Sequence, residues 1–204
     1  MVVMFVAARA LGAEVPLDTS GCEILSTWSE VRFTFHVETD GKRQVSREWR
    51  FEPRTSRVTR TLDGDSLSFT FGTPGNEAET RADAQFINDT FWLWPQCHLG
   101  WATDLDVAEH GATSMPFGQG AALRTTVRYP AVAGGYRPGD AYDLFHNAQG
   151  RIVAWHYRRL NAKEPTLTVR FGKPVELGPL TVQTDHVTED ESFRVYFTDL
   201  SATP

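Results

Sequence analysis

The sequence predicts a mainly β (α+β) domain, an antiparallel sheet of roughly ten strands with a short helical plug or lid. Three observations carry this prediction. Short stretches alternate apolar and polar side chains with a period of two, the mark of strands that bury one face. Asp-Gly, Pro-Gly and Asn-containing turns punctuate them at hairpin spacing. A single aromatic segment has helical spacing instead, and no helical pattern longer than about 12 residues intervenes, which excludes a βαβ architecture.

Residues 1–13 (MVVMFVAARALGA) are apolar and rich in small side chains, with Ala10 and Gly12 placed like the residues before a signal-peptidase cut. A basic leader is missing and Arg9 interrupts the apolar stretch. Residues 1–22 therefore read either as a residual export signal or flexible N-terminus, or as an ordinary first strand or helix. Gly21-Cys22 invites a lipid-anchored Cys22, against which stand Thr19, Ser20 and the early end of the apolar run.

In 31–37, Val31, Phe33, Phe35 and Val37 form one face and Arg32, Thr34 and His36 the other. Asp40-Gly41 turns the chain into 45–51, where Val45, Trp49 and Phe51 share a face with Arg47. A run over 57–62, the turn Asp63-Gly64-Asp65, and a run placing Leu67, Phe69 and Phe71 on one face complete a meander of hairpins. Pro74-Gly75 then breaks the sheet. Residues 76–84 are charged and helix-compatible; beyond them Phe86, Thr90, Leu93 and Trp94 recur at helical spacing, so a short helix ends before Pro95.

The strands resume after Trp101. Leu123, Thr125, Val127 and Tyr129 alternate with Arg124, Thr126 and Arg128, and Gly134-Gly135 and 138–140 make a loop. Residues 142–145 and 152–159 form a hairpin about 147–150, and runs at 166–171, 180–187 and 193–199 follow. With no repeat, low-complexity stretch or linker, 23–204 reads as one domain.

Of the 204 residues 41% are hydrophobic and 12% aromatic, enough for a substantial core, which excludes general disorder. A formal charge of −6 with scattered basic residues argues against nucleic acid as a partner. No run of about 18 apolar residues exists to form a membrane-spanning helix. Cys22 and Cys97 form one disulfide in an exported chain, or remain as two buried thiols.

His36, His98, His110, His146, His156 and His186 lack metal-binding spacing, although His36 and His156 are candidates to approach across strands; neither a metal nor a cofactor is expected. There is no Gly-x-Ser-x-Gly elbow. Asp104 with Asp106, and Asp185 with 189–191, read as solvated loop charge, and Gly118-Gln119-Gly120 lacks the residues that cradle phosphate. Asn88-Asp89-Thr90 matches the glycosylation pattern but lies among apolar neighbours. No catalytic residue emerges.

The unusual feature is the density of aromatics at Phe86, Phe91, Trp92, Trp94 and Trp101, joined by Trp28, Trp49, Phe69, Trp155 and Tyr157 from the strands. They either fill the core of a single sheet or line a pocket. A concave sheet face that no second sheet covers needs an apolar lid, and 86–94 is the natural one. Such a pocket, concave and mostly hydrophobic, suits an apolar ligand.

Two stretches resemble the LolA/LolB/LppX-like superfamily. One is Gly135-Tyr136-x-Pro138-Gly139-Asp140-x-Tyr142-Asp143-Leu144, followed by Asn147-x-x-Gly150-Arg151-Ile152-x-x-Trp155-x-Tyr157. The other, Phe86-Ile87-Asn88-Asp89-Thr90-Phe91-Trp92-Leu93-Trp94-Pro95, is similar to a Phe-x-Asn-x-x-Tyr-Trp-Leu segment of exported members. Arg47-Glu48-Trp49-Arg50-Phe51 fits the same layout, so the resemblance spans 28–199. It implies an open, strongly curved antiparallel half-barrel with a helical plug, located in the periplasm or cell envelope. Its best-known relatives carry lipoproteins or lipids with acyl chains inside the barrel, and no catalytic residues come with the family. The positively charged cavity residue of LolA has no counterpart assigned in this sequence.

The expected function is non-enzymatic binding or carriage of a lipid, acyl chain or lipoprotein acyl group by a monomer, with Trp49, Phe69, Phe86, Phe91, Trp92, Trp94, Trp101, Trp155 and Tyr157 as ligand-contacting residues. A lipoprotein or other envelope protein is the expected macromolecular partner. The first rival is an interaction module whose core is filled by its own side chains. The second is a hydrolase pairing His98, His110, His156 or His186 with a carboxylate inside a cleft.

Overall fold

The computed structural model describes residues 19–102, 105–118, 120–131 and 138–204. The export-signal reading of 1–18, Asp104, Gln119 and the Gly134-Gly135-Tyr136 part of the family motif lie outside them. After a 3₁₀ turn (Cys22–Thr27) come β1 (Glu30–Thr39), β2 (Lys42–Glu52), β3 (Arg57–Leu62) and β4 (Asp65–Thr70). Helices α1 (Glu77–Leu93) and α2 (Pro95–Trp101) follow. Then come β5 (Asp106–Ser114), β6 (Ala121–Arg128), β7 (Ala141–His146), β8 (Ile152–Arg158), β9 (Leu167–Leu177), β10 (Leu180–Val187) and β11 (Phe193–Thr203).

All eleven strands belong to one antiparallel sheet ordered β4-β3-β2-β1-β11-β10-β9-β8-β7-β6-β5. The two hairpin series meet where β1 pairs with β11, Phe35 opposite Phe197 and Val37 opposite Val195. The outermost strands, β4 and β5, do not pair with each other, so the sheet is open. Its curvature follows from what α1 touches. Phe86 lies 5.2 Å from Trp49 on β2, and Phe91 lies 5.1 Å from Tyr142 on β7. Six strand spacings separate β2 from β7, about 29 Å in a flat sheet, whereas a helix is only about 10–12 Å across. The sheet must therefore wrap around α1, and irregularities at Val37/Glu38 in β1, His110/Ala112 in β5 and Phe145/His146 in β7 help it bend.

The strand count exceeds the expected ten by β5, whose alternation is broken by the irregularity at His110/Ala112 and whose side chains are mostly exposed. The helix is also longer than expected, 17 residues where the aromatic spacing marked 86–94. Asn76 starts it: its side chain accepts from the Glu79 amide at 3.0 Å while its Nδ2 donates to Glu79 Oε1 at 2.8 Å, and Glu77 and Glu79 suit the positive helix end. The first two turns carry no apolar stripe, which is why their pattern is silent. Pro95 stops the helix, and the chain restarts as α2 with that proline in its first turn.

A disulfide joins Cys22 to Cys97, so α2 is stapled to the turn that leads into β1. Gln96 Nε2 adds a bond to the Thr181 carbonyl on β10 at 3.1 Å. Gly21 is required beside this staple: its φ is 82°, and a Cβ there would lie 2.8 Å from the Pro179 carbonyl oxygen. The expected lid is thus moored at its C-terminal end. His36 and His156 do not meet, because β11, β10 and β9 lie between their strands.

Candidate functional site

A cavity of about 290 Å³ lies between α1 and the concave face of the sheet. Asn88, Phe91 and Trp92 face it from α1, where offsets of three and four share one side of the helix. Same-face pairs two residues apart complete the wall: Phe35 and Val37 on β1, Trp155 and Tyr157 on β8, Phe193 and Val195 on β11. Tyr142 and Leu167 close it from β7 and β9, and Arg47 from β2. The rings pack on one another, Trp92 4.8 Å from Trp155 and Phe91 stacked on Trp155 at 5.5 Å.

Arg47 is the charged group of this wall. Its guanidinium lies 4.9 Å over the Phe35 ring and pairs with Asp89 of α1 through Nε (2.8 Å) and Nη2 (2.7 Å). Asp89 is fully buried and also accepts from Trp49 Nε1 at 2.8 Å and Asn88 Nδ2 at 3.0 Å. Burial pushes its carboxyl upward, and Arg47, Asn88 and Trp49 oppose that shift. Every one of these contacts is an N–H donor, so a proton on either oxygen would have no acceptor. The geometry is that of a carboxylate.

The expected ligand-contacting residues divide into three groups. Phe91, Trp92, Trp155 and Tyr157 line the cavity together. Trp49, Phe69, Phe86 and Trp94 are buried in the packed core on the β1–β4 side, where Phe86 contacts Trp49, Phe51 and Phe71. Trp101 is 53% exposed on the other flank of the helices, in a groove of about 410 Å³ with Phe71, Ile87 and Tyr129. Asp89, which the sequence presents only within a glycosylation pattern, and Arg47 are not among the residues expected at the site. The signal was present for both: a charge inside an apolar helical run, and an arginine on the same strand face as Trp49.

The histidines adopt a common arrangement. His36, His98, His110, His146 and His156 each have a ring nitrogen within 2.7–3.0 Å of a threonine hydroxyl. None of these bonds reaches a carboxylate, so the arrangement a His–carboxylate hydrolase needs is not formed by them. His186 is fully buried among Trp92, Phe171 and Phe197, with neither ring nitrogen hydrogen-bonded. Burial lowers His98 to about 4 and His186 to about 3. Among the described residues no group of three or more His, Cys, Asp or Glu is placed to hold a metal, and no helix is long and apolar enough to cross a membrane. Asp106 pairs with Arg128, and Asp185 with Arg194 and Lys173.

No protein-family model matches the chain, and no curated protein does. Among solved structures it is similar to a DUF1329 family protein from Desulfovibrio piger, with a TM-score of 0.45 and 9% identity over 90% of each chain. It is also similar to a LolA superfamily protein from Nitrosomonas europaea, with a TM-score of 0.47 and 5% identity over 86% of each chain.

Proposed function

We propose that this protein binds an acyl chain or comparable apolar ligand in the cavity beneath α1, without catalysis, as a monomeric carrier of the cell envelope. One observation carries the reading: a cavity of about 290 Å³, walled largely by aromatic and aliphatic side chains, lies between α1 and the sheet that wraps around it. Ligand pockets usually start at about 300 Å³, so a cavity of this size suits a single chain. Each buried methylene contributes about 0.8 kcal/mol, enough over a medium-length chain to offset the cost of immobilising it. The disulfide supports an oxidising compartment, the periplasm or outside of the cell.

Delipidated protein titrated with laurate-based lipids or phospholipid is expected to show a Trp fluorescence change from Trp92 and Trp155, and a protein–lipid adduct in native mass spectrometry. Absence of both sinks the reading. One feature favours an interaction module instead: Phe86, Phe91, Leu93 and Trp94 of the helical segment are themselves fully buried, so much of the concave face is already filled. That alternative predicts identical fluorescence with and without lipid, and wild-type thermal stability unmoved by it.

A further inference from the structure

A second cavity, of about 80 Å³, lies where α2 begins. Pro95 and Gln96 line it from α2, Phe171 from β9, Gln183 from β10, Ser20 from the turn before Cys22, and Arg151 from the residue before β8. None of its lining residues is shared with the cavity beneath α1. Its walls are fixed. The Cys22–Cys97 bridge joins the segment that carries Ser20 to the one that carries Gln96, and Asn147 Oδ1 accepts from the Arg151 amide at 3.1 Å.

The polar groups around this cavity are unmatched. Among the described residues the Arg151 guanidinium has neither a hydrogen bond nor an ion pair, and no acidic side chain lines the cavity to balance it. The Gln183 side-chain amide has no partner among them either. Gln96 Nε2 donates to the Thr181 carbonyl at 3.1 Å, which sets the orientation of its amide and leaves Oε1 as an acceptor without a donor. One cation calls for one negative charge, and its planar fork matches a carboxylate through two parallel bonds. A phosphate dianion would keep an unbalanced charge beside Phe171 and Pro95. The volume is that of about three waters, room for a carboxylate and the atoms next to it. Gln96 Oε1 then calls for an N–H on those atoms. We infer that this cavity binds a carboxylate whose neighbouring carbon bears an N–H, the end group common to an N-acylated amino acid and a polypeptide C-terminus, with Arg151 holding the carboxylate and Gln96 accepting from the N–H.

The full chain, labelled with ¹⁵N, is titrated at about pH 7, where carboxylates are ionised, with N-acetylglycine, N-acetylglycinamide, propionate and inorganic phosphate. N-acetylglycine is expected to move the side-chain amide signals of Gln96 and Gln183 saturably and to bind about ten-fold tighter than each of the others. Arg151→Gln should weaken N-acetylglycine about ten-fold, and Arg151→Lys, which keeps the charge without the fork, should recover part of that loss. Arg151 is exposed and its guanidinium is unpaired among the described residues, so neither variant removes a side-chain contact seen in the fold. A pentapeptide ending in glycine separates the two sources: tighter binding than N-acetylglycine assigns a polypeptide C-terminus, weaker binding a small N-acylated amino acid. Equal affinity for the acid and its amide, phosphate bound as tightly as N-acetylglycine, an unchanged Arg151→Gln protein, or no signal movement with any probe would each overturn the inference. None of these outcomes bears on lipid binding beneath α1.

Discussion

A fully buried histidine makes the native state sensitive to acid. His186 titrates near 3 in the fold because burial disfavours its charge, whereas an unfolded histidine titrates near about 6.5. The unfolded chain thus binds the extra proton first as pH falls, so stability is lost progressively from about pH 6.5 downward until the folded value is reached, by roughly 4–5 kcal/mol at most. His98, lowered to about 4, acts in the same direction. His186→Leu should flatten the fall in melting temperature between neutral and acid pH; parallel curves for variant and wild type would assign the acid lability elsewhere. The Arg47–Asp89 pair makes a second residue-level prediction. Arg47→Ala strands a buried carboxylate and is expected to lower unfolding free energy by about 3–5 kcal/mol, while the paired apolar replacement of both residues recovers most of it in urea titrations.

The elements differ in how much they contribute to stability and how much to the site. Phe86 anchors α1 against β1, β2 and the chain after β4, whereas Trp92, two turns on, faces the cavity. Phe86→Ala should therefore cost about 3–5 kcal/mol in chemical denaturation. Trp92→Ala should weaken lipid binding more than it weakens the fold, an expectation lost if both variants unfold alike with unchanged affinity. The Cys22–Cys97 bridge closes a loop with a sequence separation of 75, so replacing both cysteines by serine is expected to cost about 4 kcal/mol. It should also speed ligand exchange in stopped-flow fluorescence by unmooring α2. The hairpins from β1 to β4 were legible from alternation and Asp-Gly turns, because each is a local pairing with one buried face. The start of α1 and all of β5 were not, since an exposed capped turn and an edge strand bury too little to leave a periodic trace. Phe91, Trp92, Trp155 and Tyr157 could be picked out by composition, but their division from Phe86, Trp94 and Trp101 depends on which side of one helix each occupies. Alternation along strands says nothing about that.

At the scale of the molecule, the decisive contact is β1 with β11, which joins Glu30 to Thr203 and Thr39 to Phe193. Such non-local pairing must overcome a large loop-closure entropy, so refolding is expected on the millisecond-to-second scale typical of β-rich topologies, not in microseconds. A single microsecond phase in refolding kinetics would contradict this. A chain truncated before Phe193 should fail to give a cooperative thermal transition, since β1 and β10 would each lose a neighbour at the middle of the sheet. The position of β11 also has a consequence for biogenesis. Of the described strands β11 is the last to be synthesised, so the two hairpin series are made before the strand that joins them and wait with an unfilled gap between them. That delay keeps the concave face open until β11 takes its place between β1 and β10.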